Sequence, residues 1–128
     1  MVFRVVLKQN IAKIERHLRG RGWSILYLDI VKHYSDDPEA HITDGFIDYS
    51  KQVIVISKKL GQRRRLHTLL HEGGHALANT LGYQSMTRHS RRDVERQACF
   101  LGAAIATYLK IPLGHKTWVK FNWEARLK

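Results

Sequence analysis

Cysteine is nearly absent from this chain, with Cys99 the single one among 128 residues. One cysteine excludes an intramolecular disulfide framework and fits a reducing compartment. Because a free cysteine packs as a small hydrophobic side chain, we expect Cys99 to lie on the apolar face of a helix. A reactive thiol is the alternative interpretation.

Long apolar runs and linker-like stretches are also lacking. No segment approaches the run of about 20 apolar residues that a membrane span needs. The apolar segment at the start of the sequence is too short and too charged to be a secretory signal. No internal repeat, low-complexity tract or Pro/Gly/Ser-rich linker divides the sequence. We therefore predict a cytoplasmic protein without membrane contact. Its single domain would cover residues 1–128, with a core at about 40–112 and an aromatic, basic tail at about 113–128.

Acidic residues are scarce, since 11 Asp and Glu stand against 22 Lys and Arg, which gives a net charge of +11 and a pI near 10.2. The basic residues form clusters at Lys58-Lys59, Arg63-Arg64-Arg65 and Arg91-Arg92. A charge of this size attracts polyanions through long-range, salt-sensitive forces. Contact with nucleic acid or an acidic partner is therefore one interpretation of the charge, and a solvated basic surface is the other.

Hydrophobic periodicity predicts an α+β fold, with helices against one face of a small sheet. The predicted elements are a helix over about 5–19, strands over about 23–30, 45–48 and 52–57, a helix of about twenty residues between Gly61 and Gly82, and a helix over about 91–109. The short connection between the second and third strands predicts a hairpin. The apolar stripe predicted for the last helix is Val94, Ala98, Leu101, Ile105 and Tyr108.

The segment His71-Glu72-Gly73-Gly74-His75 matches H-E-x-x-H within a predicted helix. Residues four apart lie on the same helix face, so both histidines can direct an imidazole nitrogen at one Zn²⁺. Glu72 lies about 100° around the helix from His71, where it can act on a water near the metal. This pattern is typical of zinc metallopeptidases, in which the two histidines bind the metal and the glutamate is the general base.

A catalytic zinc site needs a third protein ligand. His67 lies one turn before His71, but about 12 Å of helix separates it from His75, too far for the two to share one ion. We expect His67 to be a supporting or surface residue instead.

A carboxylate from the following helix is the other source of a third ligand. Candidates in and just before that helix are His89, Asp93 and Glu95. Ser90 and Asp93 match a capping box, which gives Asp93 a structural role. Glu95 has no such role. It is followed by small residues that would let this helix approach the helix that carries H-E-x-x-H. Glu95 is the favoured ligand, with Asp93 and His89 as the alternatives.

Two segments resemble the ImmA/IrrE-like zinc metallopeptidases. The run from Thr68 to Leu77 is similar to that family's T-L-x-H-E-L-G-H segment. The run from Glu95 to Ile105 is similar to its E-x-x-A-N-x-F-A-A-x-L helix in the same register, and Ile111-Pro112 to its helix end. The resemblance covers roughly residues 40–112, which is more than half of the chain.

The resemblance implies a minimal zincin-like domain with N-terminal helix, small three-stranded sheet, active-site helix and following ligand helix. It implies a zinc metalloendopeptidase of the gluzincin type, with one Zn²⁺ per chain on His71, His75 and Glu95 and with Glu72 as the general base. The partner would be a protein or peptide substrate, and members of the family often act on DNA-bound repressors, which fits the basic charge. Gly73 departs from the pattern, because the family prefers a bulky apolar residue there.

Cys99 stands where the family prefers Asn. The donor to a tetrahedral oxyanion would be Tyr83, His89 or His115. We predict that the substrate extends along a free strand edge at Gln52–Ser57.

The alternative function is a non-catalytic, basic zinc-binding module that binds nucleic acid or a protein partner, although a structural zinc site normally has four protein ligands.

Overall fold

The computed structural model describes residues 2–33, 43–82 and 91–113. The elements within these residues are α1 (Val2–Gly20), β1 (Ser24–Leu28), α2 (Ile30–His33), β2 (Gly45–Asp48), β3 (Val53–Ser57), α3 (Gln62–Thr80) and α4 (Arg91–Tyr108). The chain divides into two compact units, Met1–Leu69 and Leu70–Lys128, with the boundary inside α3. The predicted α+β class is confirmed.

The sheet is mixed and has the order β1-β3-β2. β2 and β3 pair antiparallel, which confirms the predicted hairpin, and β1 pairs parallel with β3 in a register that joins Ser24 to Val53. β3 is therefore the middle strand, and both of its edges are occupied. The prediction that a substrate adds to a free edge at Gln52–Ser57 is wrong, because β1 pairs along one edge of β3 and β2 along the other.

Burial in the first unit follows the sequence pattern. The predicted stripe of α1 is buried: Ile11, Ile14 and Leu18. β3 is buried on both faces, with Ile54 and Ile56 on one face and Val55 on the other. Val55 packs with Ile30 in an apolar cluster that also contacts Phe46. A central strand that is apolar from Val53 to Ile56 matches this position between two covered faces.

The strand predicted over 23–30 is shorter in the structure, because Asp29 begins a helix. Its side-chain oxygen Oδ1 accepts a hydrogen bond from the N–H of Lys32 at 3.2 Å, as an N-cap residue does three positions before the donor. β1 ends at Leu28 and α2 begins at Ile30. Most of the predicted loop between 32 and 43 lies outside the described residues.

Both long helices after the sheet end as predicted. Gly82 has a φ of 76° beyond the end of α3, the left-handed conformation that a helix-terminating glycine adopts. α4 ends at Tyr108, and Lys110 follows with a φ of 58°. The N–H of Ile111 then donates to the carbonyl of Ala106 at 2.8 Å, which satisfies an end carbonyl of α4.

The buried face of α4 differs from the predicted stripe by about one residue. Ala98 and Ile105 are buried as predicted, but Tyr108 is 73% exposed. Cys99, Gly102 and Ala106 lie on the buried face instead. Small residues replace large ones there because another helix backbone approaches α4 closely.

No helix in the described parts of the chain combines the length and the apolar character that crossing a membrane requires.

Candidate metal centre

The H-E-x-x-H segment lies in the second half of α3. His71 and His75 are one turn apart, and their rings meet edge to face with centroids 4.8 Å apart. This is the geometry that helical spacing of four residues predicts. His75 and the intervening Glu72 are buried, with 6% and 7% of their surface exposed.

α4 brings a carboxylate to these rings. Oε2 of Glu95 lies 2.7 Å from Nε2 of His71 and 3.3 Å from Nε2 of His75. One ligand atom from each residue lies within 4.8 Å of the other two. Glu95, which is at least twenty positions from either histidine in sequence, therefore converges with them on one point.

Two glycines allow the two helices to approach this closely. A Cβ added at Gly102 would lie 2.6 Å from the carbonyl oxygen of Leu70, which is closer than real Cβ atoms come. At Gly74, an added Cβ would overlap the carbonyl group of Ala98. Gly74 is the fourth residue of the H-E-x-x-H segment, so the segment contributes helix contact as well as two candidate ligands.

The two carboxyl groups of the centre differ in their electrostatics. Hydrogen bonds from His71 and His75 hold the pKa of Glu95 well below its ordinary value, against the effect of partial burial. Burial raises the pKa of Glu72, and the nearby histidines oppose that rise only in part. These surroundings therefore favour the ionised form of Glu95, which can bind a cation, whereas they favour the protonated form of Glu72 more than water does.

The donor set fits zinc. Two imidazole nitrogens and one carboxylate oxygen are ligand types that zinc accepts at about 2.0–2.2 Å, and tetrahedral ligands at that range lie about 3.3 Å from each other. The observed Nε2–Oε2 separations of 2.7 and 3.3 Å are close to this value. Three protein donors are the number found at catalytic zinc sites, where one position remains for water or substrate.

Other residues considered from the sequence are placed differently. Among the described residues, the group of converging donors holds His71, His75 and Glu95 and includes neither His67 nor Asp93. Tyr83, His89 and His115 lie outside the described residues, as does the Ser90 cap.

Sequence reasoning missed one contact at this centre. Sγ of Cys99 lies 3.5 Å from Nδ1 of His71. The signal in the sequence was the spacing of Cys99, four positions after Glu95 and hence on the same face of α4.

A sequence profile of the IrrE N-terminal-like domain, which defines a peptidase family (M78), matches residues 21–114. The match covers most of the chain and includes the H-E-x-x-H segment, Glu95 and Cys99. No curated protein and no solved structure gives a significant match.

Proposed function

Because the chain belongs to the IrrE N-terminal-like peptidase family, we propose that it is a zinc-dependent metalloendopeptidase that hydrolyses peptide bonds of a protein or peptide substrate. The observation that carries the proposal is the convergence of His71, His75 and Glu95 within 4.8 Å, beside the buried carboxyl group of Glu72. Ligand set and base together are what this reaction requires.

One zinc ion per chain would be held by Nε2 of His71, Nε2 of His75 and a carboxylate oxygen of Glu95. When bound, zinc supplies a Lewis acid that polarises a carbonyl group and acidifies water. Glu95 is suited to this role because its low pKa keeps it ionised, and the negative charge offsets part of the charge of a divalent cation.

Glu72 is the proposed general base. It would accept a proton from the attacking water and return that proton to the leaving amine. Its burial raises its pKa, which makes the first transfer more complete than it would be for an exposed carboxylate. Burial also limits the orientations of the side chain, so the carboxylate is held ready for the transfer.

Metal content tests the ligand set. We expect about one zinc per chain in protein purified without added metal, and much less in Glu95→Ala, because a site with three protein ligands loses affinity when one of them is removed. Asp93→Ala is the matched control, since Asp93 is another acidic residue near the start of α4 but is not in the converging group. Equal zinc in all three proteins would contradict the assignment of Glu95.

Glu72→Gln tests the base separately from the metal. The amide has nearly the same shape but cannot accept the proton, so zinc content should stay at the parent level while peptide hydrolysis falls by about 10²-fold or more. Parent and variant would be incubated with a peptide library, and new amino termini would be identified by mass spectrometry. Identical cleavage by both proteins would overturn the role of Glu72.

A further inference from the structure

The ring of His71 contacts α4 through both of its nitrogens. Nε2 lies 2.7 Å from Oε2 of Glu95, and Nδ1 lies 3.5 Å from Sγ of Cys99. Glu95 and Cys99 are four positions apart and share one face of α4. α4 therefore supplies one candidate ligand, Glu95, and also contacts the ring of a second candidate ligand, His71, at Nδ1.

The backbone of Cys99 is held in place by close contacts between the two helices. Cys99 is 1% exposed and lies between Ala98 and Gly102, the two residues of α4 at which backbone meets backbone. An added Cβ at Gly102 would be 2.6 Å from the carbonyl oxygen of Leu70, and the carbonyl group of Ala98 leaves no room for one at Gly74. With both helices fixed at these points, the Cα and Cβ atoms of Cys99 stay close to the His71 ring.

The contact at Nδ1 affects which nitrogen of the His71 ring carries the proton. For Nε2 to offer its lone pair to a metal, the ring proton must be on Nδ1, and the group that accepts that proton's hydrogen bond selects the tautomer. A cysteine sulfur is a weak acceptor. His75 differs, because its Nδ1 is buried without a hydrogen-bond partner among the described residues.

We infer that Cys99 is a positioning residue for His71: when the metal is bound, its sulfur accepts the hydrogen bond of Nδ1–H, orients the ring and favours the tautomer whose Nε2 binds the metal. The inference rests on the proposed zinc site. It assigns Cys99 a role that a small apolar residue on the helix face would not have.

Zinc affinity of two substitutions tests the inference. The dissociation constant would be measured by competition with a chelator for the parent, Cys99→Ala and Cys99→Ser. We expect Cys99→Ala to bind zinc about tenfold more weakly, the lower end of the effect of losing a group that supports a metal ligand. Cys99→Ser should bind more tightly than Cys99→Ala, because the hydroxyl group is again an acceptor.

The stability of the metal-free proteins separates positioning from packing. Cys99→Ala and Ala106→Gly each remove part of a buried side chain of α4, so both should unfold at a lower urea concentration than the parent. Zinc affinity that falls in Cys99→Ala and is partly restored in Cys99→Ser supports positioning. Zinc affinity that falls in step with stability in both Cys99→Ala and Ala106→Gly would reduce Cys99 to a packing residue. Ala106→Gly, which removes another buried small side chain of α4, should lower stability and leave zinc affinity unchanged.

Two further results would overturn the inference. Equal zinc affinity of Cys99→Ala and the parent, with Glu95→Ala strongly weakened, would remove the role of Cys99 and leave the zinc site intact. A parent that binds zinc no better than Glu95→Ala would remove the site itself. We also expect the cobalt-substituted protein to lack a sulfur-to-cobalt charge-transfer band, since the band would make Cys99 a direct ligand.

Discussion

At the scale of single residues, Glu72 and Glu95 belong to one centre, yet their surroundings shift their pKa values in opposite directions. Burial raises the pKa of Glu72, and hydrogen bonds from two histidines lower that of Glu95. Environments that separate the pKa values of two carboxyl groups often separate their roles as well. This difference supports a base at Glu72 and a ligand at Glu95.

The helical spacing of His71 and His75 made their convergence predictable from the sequence, because spacing along one helix is fixed. The proximity of Glu95 was predictable as the favoured of several candidates. The contact of Cys99 with His71 was not, because it depends on how far one helix is displaced along the other, and the sequence pattern does not define that displacement.

Tyr27 provides a test of pH dependence away from the centre. Its hydroxyl group donates to Oε2 of Glu15 at 2.6 Å, and burial followed by this hydrogen bond raises its pKa. Above the ordinary tyrosine pKa of about 10, the unfolded chain releases the proton first, so the stability that the neutral phenol contributes is lost as the pH rises.

We expect Tyr27→Phe to be less stable than the parent by about 1 kcal/mol at pH 7 because the hydrogen bond is lost. The difference should shrink at a pH above about 10. Urea unfolding of both proteins at neutral and alkaline pH, followed by circular dichroism, measures the two gaps. A gap that stays constant or widens with pH would show that Tyr27 does not keep its proton preferentially in the folded state.

At the scale of elements, the crossing of α3 and α4 depends on glycine. Gly74 and Gly102 each contact a backbone group of the opposite helix. These contacts bring together α3 and α4, the helices that carry the three candidate ligands. Glycine weakens a helix by about 1 kcal/mol relative to alanine, so close approach is gained at a cost in local helix stability.

Gly102→Ala should lower the free energy of unfolding of the metal-free protein by about 1–3 kcal/mol, because the added methyl group forces the helices apart. Gly20→Ala is the control, since nothing lies within 4 Å of a Cβ added at Gly20. That change should be neutral or stabilise the protein by about 0.4–1 kcal/mol. Equal effects of both substitutions in urea unfolding would contradict a special role of the crossing.

The elements themselves were largely predictable, and their ends were less so. Both long helices after the sheet begin and end near the predicted positions because glycine and proline mark their ends. The strand predicted to reach Ile30 ends at Leu28, because Asp29 caps the short helix that follows. A single sequence does not distinguish an aspartate that caps a helix from an aspartate at the polar end of a strand.

At the scale of the whole molecule, the basic charge is the property that the fold does not explain. Exposed basic residues follow β3 and continue into the first turn of α3, with Lys58, Arg63 and Arg64 among them. Two of the basic residues in this region pair with acids, Lys59 with Asp29 and Arg64 with Asp44. We propose that this segment, residues 58–65, binds nucleic acid through its phosphates.

Fluorescence anisotropy with a duplex DNA at several salt concentrations tests this proposal. Affinity should fall steeply as salt rises, and Lys58→Glu should reduce the slope of log affinity against log salt by about 1 or more. Lys51→Glu changes the net charge equally but lies at the other end of β3, more than a Debye length of about 8 Å away. Equal slopes for both variants would reduce the effect to net charge alone.

The sheet order was the least predictable feature of the molecule. Alternation and turn residues predicted the hairpin of β2 and β3, but nothing local in the sequence determines where β1 pairs. Its parallel pairing with β3 is a contact between distant segments, so the prediction of a free edge on β3 was wrong.

That pairing also sets a sequence of events during synthesis of the chain. β1 leaves the ribosome well before β3, its partner in the register that joins Ser24 to Val53, and it has no partner strand for this pairing while the intervening residues are made. The hairpin of β2 and β3 can form as soon as its own residues emerge, because its contacts are local. Of these three strands, the one translated first therefore cannot join the sheet until the one translated last has emerged.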